Sequence, residues 1–457
     1  MNGQLEVVVL AAGKGTRMCS DKPKVLHHLA GKSFLAHVLD RAKPLDATAT
    51  HIVVGHGAEL VQSEVADYQA RFAIQSEQLG TGHAVTQVLD DLQDESVVLI
   101  LYGDVPLIKT STLSELIALV ESNTMALLTV DMMSPKGYGR ILRDTDNNVV
   151  AIVEEKDATD EQKCITEVNT GVMAVRATDL KRWLPALSNS NAQGEYYLTD
   201  IIAMAAGDNI AVHTTQPANE YDVLGINNRV QQAQVERFYQ QELAGQLMDA
   251  GVTLMDPARL DCRGRVTAGR DCFIDINCVF EGHVELGNNV SIGANCVIKN
   301  SKIADNTDIK PFTMMDGAEL DTQCTVGPFA RLREGTRLST KAKIGNFVET
   351  KKAIVGVGSK INHLSYVGDA VLGAGVNVGA GTITCNYDGA NKHQTTIEDG
   401  AFIGSNSALV APVVIGSGTT VAAGSTITRN VESNNLVMAR SKQKSISGWV
   451  RPVKKPS

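Results

Sequence analysis

The chain has 457 residues, with 42 Lys plus Arg against 51 Asp plus Glu, a net charge of −9, and 43% hydrophobic residues. That length accommodates about two to four domains with full cores, and the acidic balance, lacking any basic stripe interleaved with aromatics, excludes nucleic acid as the expected partner. Its eight cysteines form no C-x-x-C pair and Glu6 interrupts the first apolar run with no basic stretch ahead of it, so the expectation is a cytoplasmic protein with free thiols, no secretory signal and no membrane span.

In chain order, residues 1–229 alternate short aliphatic runs with amphipathic helical stretches. The runs are Val7-Val8-Val9-Leu10, His51-Ile52-Val53-Val54, Val97-Val98-Leu99-Ile100-Leu101 and Ala126-Leu127-Leu128-Thr129-Val130. This rhythm predicts an α/β doubly wound (Rossmann-like) domain, whose ligands sit beyond the carboxyl ends of its strands. At that place the first run continues as Leu10-Ala11-Ala12-Gly13-Lys14-Gly15-Thr16-Arg17-Met18, followed by Pro23-Lys24. The string is neither a Walker A loop nor a full G-x-G-x-x-G, and Gly13-Lys14-Gly15 alone also fits a tight turn. In the longer string two glycines let backbone N–H groups approach a triphosphate, while Arg17 and Lys24 can neutralise the α-phosphate and a leaving pyrophosphate. The third run opens into Tyr102-Gly103-Asp104-Val105-Pro106. Asp104 is therefore expected at the carboxyl edge of the sheet, where a carboxylate can hold Mg²⁺; the competing reading is a turn or N-cap residue.

Residues 230–250 put Val235, Phe238, Tyr239, Leu243 and Leu247 on one helical stripe ended by Gly251. This predicts a linker helix about 30 Å long. Residues 251–457 change period. Leu286, Ile292 and Ile298, then Val326, Leu332, Leu338 and Ile344, then Ile397, Ile403, Leu409, Ile415, Val421 and Ile427 recur at every sixth position. Hexapeptide repeats of this kind build a left-handed parallel β-helix, with one aliphatic residue per side pointing inward and small residues at the turns. About ten coils of about 18 residues fit the span, with register slips expected between Ile298 and Ile303 and between Val367 and Leu372. The polar run Cys385-Asn386-Tyr387-Asp388-Gly389-Ala390-Asn391-Lys392 breaks the beat, as a loop thrown out of the coil would. Arg333 and Lys351 lie 18 residues apart. Stacked on neighbouring coils they make a phosphate cradle, with exposed charge pairs as the alternative. The basic end, Arg451, Lys454 and Lys455, reads as a solvated tail.

Further strings complete a pattern: Gln75-Ser76-Glu77-Gln78-Leu79-Gly80-Thr81-Gly82-His83-Ala84, Gly137-Tyr138-Gly139-Arg140, Ile152-Val153-Glu154, Glu167-Val168-Asn169-Thr170-Gly171 and Gly225-Ile226-Asn227-Asn228. The chain resembles the nucleoside-diphosphate-sugar pyrophosphorylases. With its hexapeptide domain it is similar, over essentially its whole length, to the bacterial bifunctional N-acetylglucosamine-1-phosphate uridyltransferase and glucosamine-1-phosphate N-acetyltransferase family. The resemblance implies uracil and ribose recognition by Leu10, Ala11, Ala12, Gly13, Gln75, Gly80 and Thr81, with Lys24, Tyr102 and Gly103 beside them. It implies sugar recognition by Gly139, Glu154 and Asn169, and Mg²⁺ held by Asp104 and Asn227. In the second domain it makes His363 the general base toward the glucosamine amine, with Glu349 assisting. Arg333, Lys351, Tyr366, Asn377 and Lys392 would hold the sugar phosphate; Ala380, Asn386, Tyr387, Ser405, Ala423 and Arg440 would line the acetyl-CoA path. A homotrimer feeding cell-wall and lipopolysaccharide synthesis follows from the same resemblance. The alternative is a nucleotidyltransferase whose β-helix only assembles subunits. Two neighbours depart from the family's pattern, Glu155 after Glu154 and Thr350 before Lys351.

Overall fold

The computed structural model describes residues 4–454, so Lys455 of the basic tail lies outside the described residues. The chain forms two compact units, Met1–Tyr239 and Gln240–Ser457.

In the first unit, strand Leu5–Ala11 lies between Ala49–Val54 and Val97–Tyr102 and runs parallel to both. Along the main path of this nine-stranded sheet the order is Ala211–Thr215, Thr124–Asp131, Glu167–Arg176, Val97–Tyr102, Leu5–Ala11, Ala49–Val54, Arg71–Ile74, with Arg140–Arg143 and Val149–Val153 attached beside Glu167–Arg176. Successive side chains of a strand face opposite ways. Val7 and Val9 accordingly pack with Leu35, Leu39 and Leu116 of helices Phe34–Ala42 and Thr110–Ala118, whereas Val8 and Leu10 pack with Val85, Leu180 and Ile201. Both faces are covered, so the strands read as continuous apolar runs rather than as alternation. Two strands depart from the parallel pattern, Glu167–Arg176 and Val149–Val153, the latter through its antiparallel pairing with Arg140–Arg143. Glu167–Arg176 runs antiparallel to both of its neighbours on the main path. Its reversed direction brings the first half of the strand, with Asn169, to the edge where the parallel strands end.

The division between the units falls inside the helix Arg229–Asp249. Val235 is buried with Met18, Phe34 and Leu107, and Phe238 and Tyr239 pack on the same cluster, whereas Ala244 and Leu247 belong to the core of the second unit. Each half of the apolar stripe is therefore built into a core of its own. Gln240 anchors the second half by exchanging two hydrogen bonds with the Cys262 backbone, at 2.7 and 2.8 Å.

The second unit is a three-sided parallel coil. One side is the ladder through Phe273–Ile274, Ser291–Ile292, Asp308–Ile309, Thr325–Val326 and Lys343–Asn346. The other two share a sheet through long bent strands such as Cys278–Leu286 and Glu349–Val355. Ile292, Ile298, Val326, Ile344, Ile361, Ile403 and Ile415 all point inward with no exposed surface. Parallel ladders carrying a hexapeptide beat are consistent with the left-handed β-helix. About half of the coils are shorter than expected. Arg270 bonds to Asn288 across 18 residues, but Asn288 bonds to Asp305 across 17. The shortening comes from five-residue sides, found at Met315 to Leu320 and Thr350 to Val355 as well as at the two expected slips. Thr350 hid one of them, because a polar residue occupies the inward position. Its hydroxyl meets that of Thr336 at 3.0 Å inside the prism, so each satisfies the other.

The turns were expected to hold small residues. Asn277 and Asn295 fit, but the next rungs of that corner are Phe312 (φ 60), Phe329 (φ 54), Phe347 (φ 55) and Leu364 (φ 51), all left-handed. The rings stack, Phe312 on Phe329 at 4.9 Å and Phe329 on Phe347 at 5.3 Å. Stacking of roughly 0.5–1.5 kcal/mol per pair offsets part of a left-handed cost of roughly 1–2 kcal/mol per residue. The polar run is an excursion from the coil, which lengthens that turn so that Ala374 bonds to Asp399 across 25 residues. Asp388 organises it, accepting from the Ala390 and Asn391 amides at 2.8 and 2.7 Å and pairing with His393 at 2.7 Å. Among the described residues no helix is long and apolar enough to cross a membrane.

Candidate active sites

Strands Leu5–Ala11 and Val97–Tyr102 end side by side, and the loops that follow them meet over a cavity of ≈ 270 Å³. Leu10, Ala11, Ala12, Gly13, Lys24, Gln75, Gly80, Thr81, Tyr102 and Asp104 line it, together with Val25, Gln78, Ala84 and Glu195, which the sequence did not single out. Gly103 closes the floor, its amide donating to Leu10 O at 3.0 Å. The two loop glycines serve different ends. Gly15 has φ +61 and a Cβ there would meet Lys24 Cβ at 2.6 Å, whereas a Cβ on Gly13 would meet nothing within 4 Å. The first glycine lets the loop close on Lys24; the second leaves room above the backbone. Gly80, at φ +116, passes against the Tyr196 backbone with no space for a side chain. Gln75 is buried in the wall, its amide nitrogen 3.0 Å from both Gly80 O and His83 Nδ1, which fixes the plane of the amide in the cavity.

At the mouth, Lys24 Nζ forms an ion pair with Asp104 Oδ2 and also donates to Asn227 Oδ1 at 3.2 Å. Arg17 donates to the same Asn227 oxygen at 3.0 Å. Two oxygens from distant parts of the chain thus converge on one cationic nitrogen. That donor pair fits a divalent cation that takes one or two protein oxygens and leaves its other positions to phosphate and water. Gly139, Glu154 and Asn169 do not line this cavity but come together as a group: the Asn169 backbone amide donates to Gly139 O at 2.8 Å, and Gly139 presses against Glu154 so closely that a Cβ would lie 3.3 Å from its carboxylate. Burial holds the Glu154 carboxyl above the usual carboxylate range, partly opposed by a 3.2 Å hydrogen bond from Thr199. Burial, then the charges of Glu154 and Asp104, push the Tyr102 phenol up. Its ring abuts Gly171, whose φ of +85 and lack of a Cβ make the contact possible. The departure at Glu155 has a structural role. It accepts from the buried Arg140 at 2.7 Å and from the Gly137 amide at 3.1 Å, holding the loop that carries Gly139. A larger cavity, ≈ 590 Å³, opens at the amino ends of the strands, by Leu5, Val97 and Arg176, away from the glycine loop and every predicted site residue.

In the second unit, Arg333 and Lys351 do lie on neighbouring coils, since Arg331 pairs with Glu349 in the same register. Lys392 reaches them from the excursion. The Lys392 ammonium against Lys351, and then Arg333, hold the Lys351 amine below its usual range, with Asp369 opposing. Cations brought together in this way describe an anion cradle. Tyr366 lies on the adjoining coil, its hydroxyl against Gly368, and Asn386 donates to Asp369 at 2.5 Å beside it. Asn377 pairs along the backbone with Lys360 and Phe402, and no hydrogen bond joins its side chain to the cations among the described residues.

His363 stands on a different feature, a column at one corner of the prism. The strand registers stack Asn346, His363, Ala380, Ser405 and Ala423 on successive coils. Arg440 caps the column, donating to Ala423 O at 2.8 Å. Tyr387 lies exposed on the excursion, its hydroxyl donating to Gly389 O. The sequence paired His363 with Glu349. In the structure Glu349 accepts from Arg333 at 2.9 Å, and the group that meets the imidazole is Asn346, whose Oδ1 lies 2.6 Å from His363 Nδ1. Asn346 lay in no recognised string; only the coil register brings it to the histidine.

Residues 7–145 match the family described as the MobA-like NTP transferase domain, and residues 269–300 and 394–429 match the bacterial transferase hexapeptide family. Curated relatives named bifunctional protein GlmU align over nearly the whole chain. That of Saccharophagus degradans is 64% identical over 99% of this chain and 100% of its own length. Those of Cellvibrio japonicus and Marinobacter nauticus are 60% and 58% identical, over 99% and 98% of this chain and 100% and 99% of theirs. Among solved structures, a nucleotidyl transferase from Methanothermobacter thermautotroptrophicus aligns over 52% of this chain and 99% of that one, with a TM-score of 0.39 and 16% identity. With two thirds of its length and more shared with the GlmU proteins at these identities, the chain belongs to the bifunctional GlmU family.

Proposed function

We propose that the chain is a bifunctional enzyme of UDP-N-acetylglucosamine synthesis, a glucosamine-1-phosphate N-acetyltransferase and an N-acetylglucosamine-1-phosphate uridyltransferase. The β-helix acetylates glucosamine-1-phosphate with acetyl-CoA; the first unit then transfers UMP from UTP to the product and releases pyrophosphate. The observation that carries this reading is that each unit holds its own fitted set of groups. One has a glycine loop beside a convergent cation locus, and the other has both an anion cradle and an exposed imidazole. We assign the domains to residues 1–229, a linker helix at 230–250, and 251–457.

Uridyl transfer is attack by a sugar-1-phosphate oxygen on the α-phosphorus of UTP, which needs alignment and charge neutralisation but no protein nucleophile. Leu10, Ala11, Ala12, Gly13, Gln75, Gly80 and Thr81 hold uracil and ribose, with Tyr102 and Gly103 forming the floor. Arg17 and Lys24 face the phosphates, and Gly139, Glu154 and Asn169 face the sugar. Asp104 and Asn227 hold Mg²⁺, which when bound offsets the negative charge of the phosphates.

In acetyl transfer, the amine nitrogen attacks the thioester carbonyl, His363 Nε2 takes the amine proton, and the C–S bond breaks to release CoA as its thiol. A positioned base contributes about 10² to 10⁴ in rate. Arg333, Lys351 and Lys392 hold the phosphate, with Tyr366 and Asn377; Glu349 acts through Arg333, which it holds. The small residues Ala380, Ser405 and Ala423 leave a path along the column for the pantetheine arm, with Asn386, Tyr387 and Arg440 beside it. The assembly proposed is a homotrimer, supported by the hexapeptide repeat; a monomeric mass by light scattering at micromolar concentration would contradict it. The substrates and the unpaired cysteines agree with a cytoplasmic setting.

The test is a pair of variants of the full chain. Asp104→Asn is expected to abolish pyrophosphate release and spare thiol release, and His363→Ala to abolish thiol release and spare pyrophosphate release when N-acetylglucosamine-1-phosphate is supplied. Absence of acetyl transfer in the unaltered protein would reduce the β-helix to an assembly scaffold and overturn the bifunctional reading.

A further inference from the structure

We infer that Asn346 is a positioning residue of acetyl transfer, holding the His363 imidazole in the tautomer whose Nε2 is free to accept the amine proton. The inference rests on the role proposed for His363 and adds the group that makes that role possible. Asn346 Oδ1 lies 2.6 Å from His363 Nδ1. A carboxamide oxygen can only accept, so Nδ1 carries the proton and donates it, and the lone pair sits on Nε2. The histidine is exposed, and no other group bonds to its ring among the described residues.

The backbone makes this contact rigid. Asn346 and His363 are paired in register at the ends of strands Lys343–Asn346 and Lys360–His363, and the Leu364 amide donates to Asn346 O at 3.1 Å. Gly345 lies so close to the Asn362 backbone that no Cβ could be placed between them. Asn346 also occupies the rung on the far side of His363 from Ala380, Ser405 and Ala423, so it grips the ring without blocking the column. The other two histidines of the β-helix have carboxylate partners instead, His283 with Glu285 and His393 with Asp388, both at 2.7 Å. A carboxylate favours the imidazolium, which cannot accept a proton; a neutral amide orients the ring without that bias.

The experiment compares the full-length chain with Asn346→Leu, Asn346→Asp and His363→Ala. It follows thiol release from acetyl-CoA with glucosamine-1-phosphate from about pH 6 to about pH 9, with pyrophosphate release and the melting temperature as controls. Asn346→Leu is expected to lower kcat about 10- to 100-fold, with KM for glucosamine-1-phosphate nearly unchanged. Asn346→Asp keeps the acceptor and is expected to recover much of the rate, with the acid limb of its kcat profile moved up by about one pH unit or more. Wild-type kcat in Asn346→Leu overturns the inference, as does an equal loss in both variants with the acid limb in place, which is what a merely structural role would give. If Asn346→Leu fails to fold, the acid limb of Asn346→Asp decides the matter. Full transfer by His363→Ala would instead overturn the assignment of the base itself, whereas an inactive His363→Ala beside an unaffected Asn346→Leu overturns only the inference about Asn346.

Discussion

Replacing either glycine of the first loop by alanine adds the same methyl group but has opposite expected consequences. At Gly15, φ +61 puts a Cβ in the left-handed region and 2.6 Å from Lys24 Cβ. The backbone term alone is roughly 1–2 kcal/mol, and relieving the overlap requires about 1 Å of movement between the loop and Lys24, whose ammonium meets Asp104 and Asn227. A misplacement of about 1 Å costs on the order of 10²-fold in rate. Gly15→Ala is therefore expected to lower both the melting temperature and the kcat of uridyl transfer. At Gly13 φ is not positive and the added carbon meets no protein atom within 4 Å, so the fold should be indifferent. If that space is where nucleotide phosphates approach the backbone, Gly13→Ala raises KM for UTP about tenfold or more, equivalent to about 1.4 kcal/mol of lost binding. The assay is pyrophosphate release at varied UTP, with thermal melting and acetyl transfer measured on the same samples. Acetyl transfer should be unchanged in both variants. A Gly13→Ala protein with unaltered KM for UTP would refute the placement of the nucleotide over this loop.

Other outcomes follow from the same geometry. Glu154 is held above the usual carboxylate range by burial, so the folded state favours its protonated form and ionising it costs stability at higher pH. Glu154→Gln, which mimics that form, should raise the melting temperature near neutral pH and lose this gain below about pH 4, while uridyl transfer falls. Arg333→Ala and Lys392→Ala each remove a cation from the cradle and should raise KM for glucosamine-1-phosphate about tenfold or more without changing KM for UTP, measured in the two assays separately. Inside the coil, Thr350→Ala leaves the Thr336 hydroxyl without its partner and should cost about 1–3 kcal/mol by chemical denaturation. Replacing both threonines by valine should recover most of that loss.

The sequence shows best what repetition or a strand end enforces. The six-residue beat was legible because each inward aliphatic residue is fully enclosed, and the glycine loop and Asp104 because they immediately follow the apolar runs of two adjacent strands. The reversed direction of Glu167–Arg176 was not legible, since a buried strand has the same composition either way. The five-residue sides at Met315 and Thr350 were hidden for different reasons, one by an unbranched residue off the beat and the other by a hydroxyl pointing inward. Four bulky residues in left-handed turns run against local preference, and three of them, Phe312, Phe329 and Phe347, are supported by stacking between coils, a contact that local pattern does not display. Asn346 was missed on similar grounds. It meets His363 across 17 residues, and the coil length that brings them together depends on the short side at Thr350. Glu155 looked like a deviation in pattern until its bonds to Arg140 and Gly137 were seen.

The central claim is that one chain carries both transfers in separate units. It is tested most directly by incubating the purified protein with glucosamine-1-phosphate, acetyl-CoA, UTP and Mg²⁺ and following free thiol and pyrophosphate independently. The account predicts thiol release first and pyrophosphate release dependent on it. Pyrophosphate appearing only when N-acetylglucosamine-1-phosphate is supplied, with no thiol released under any condition, would contradict it.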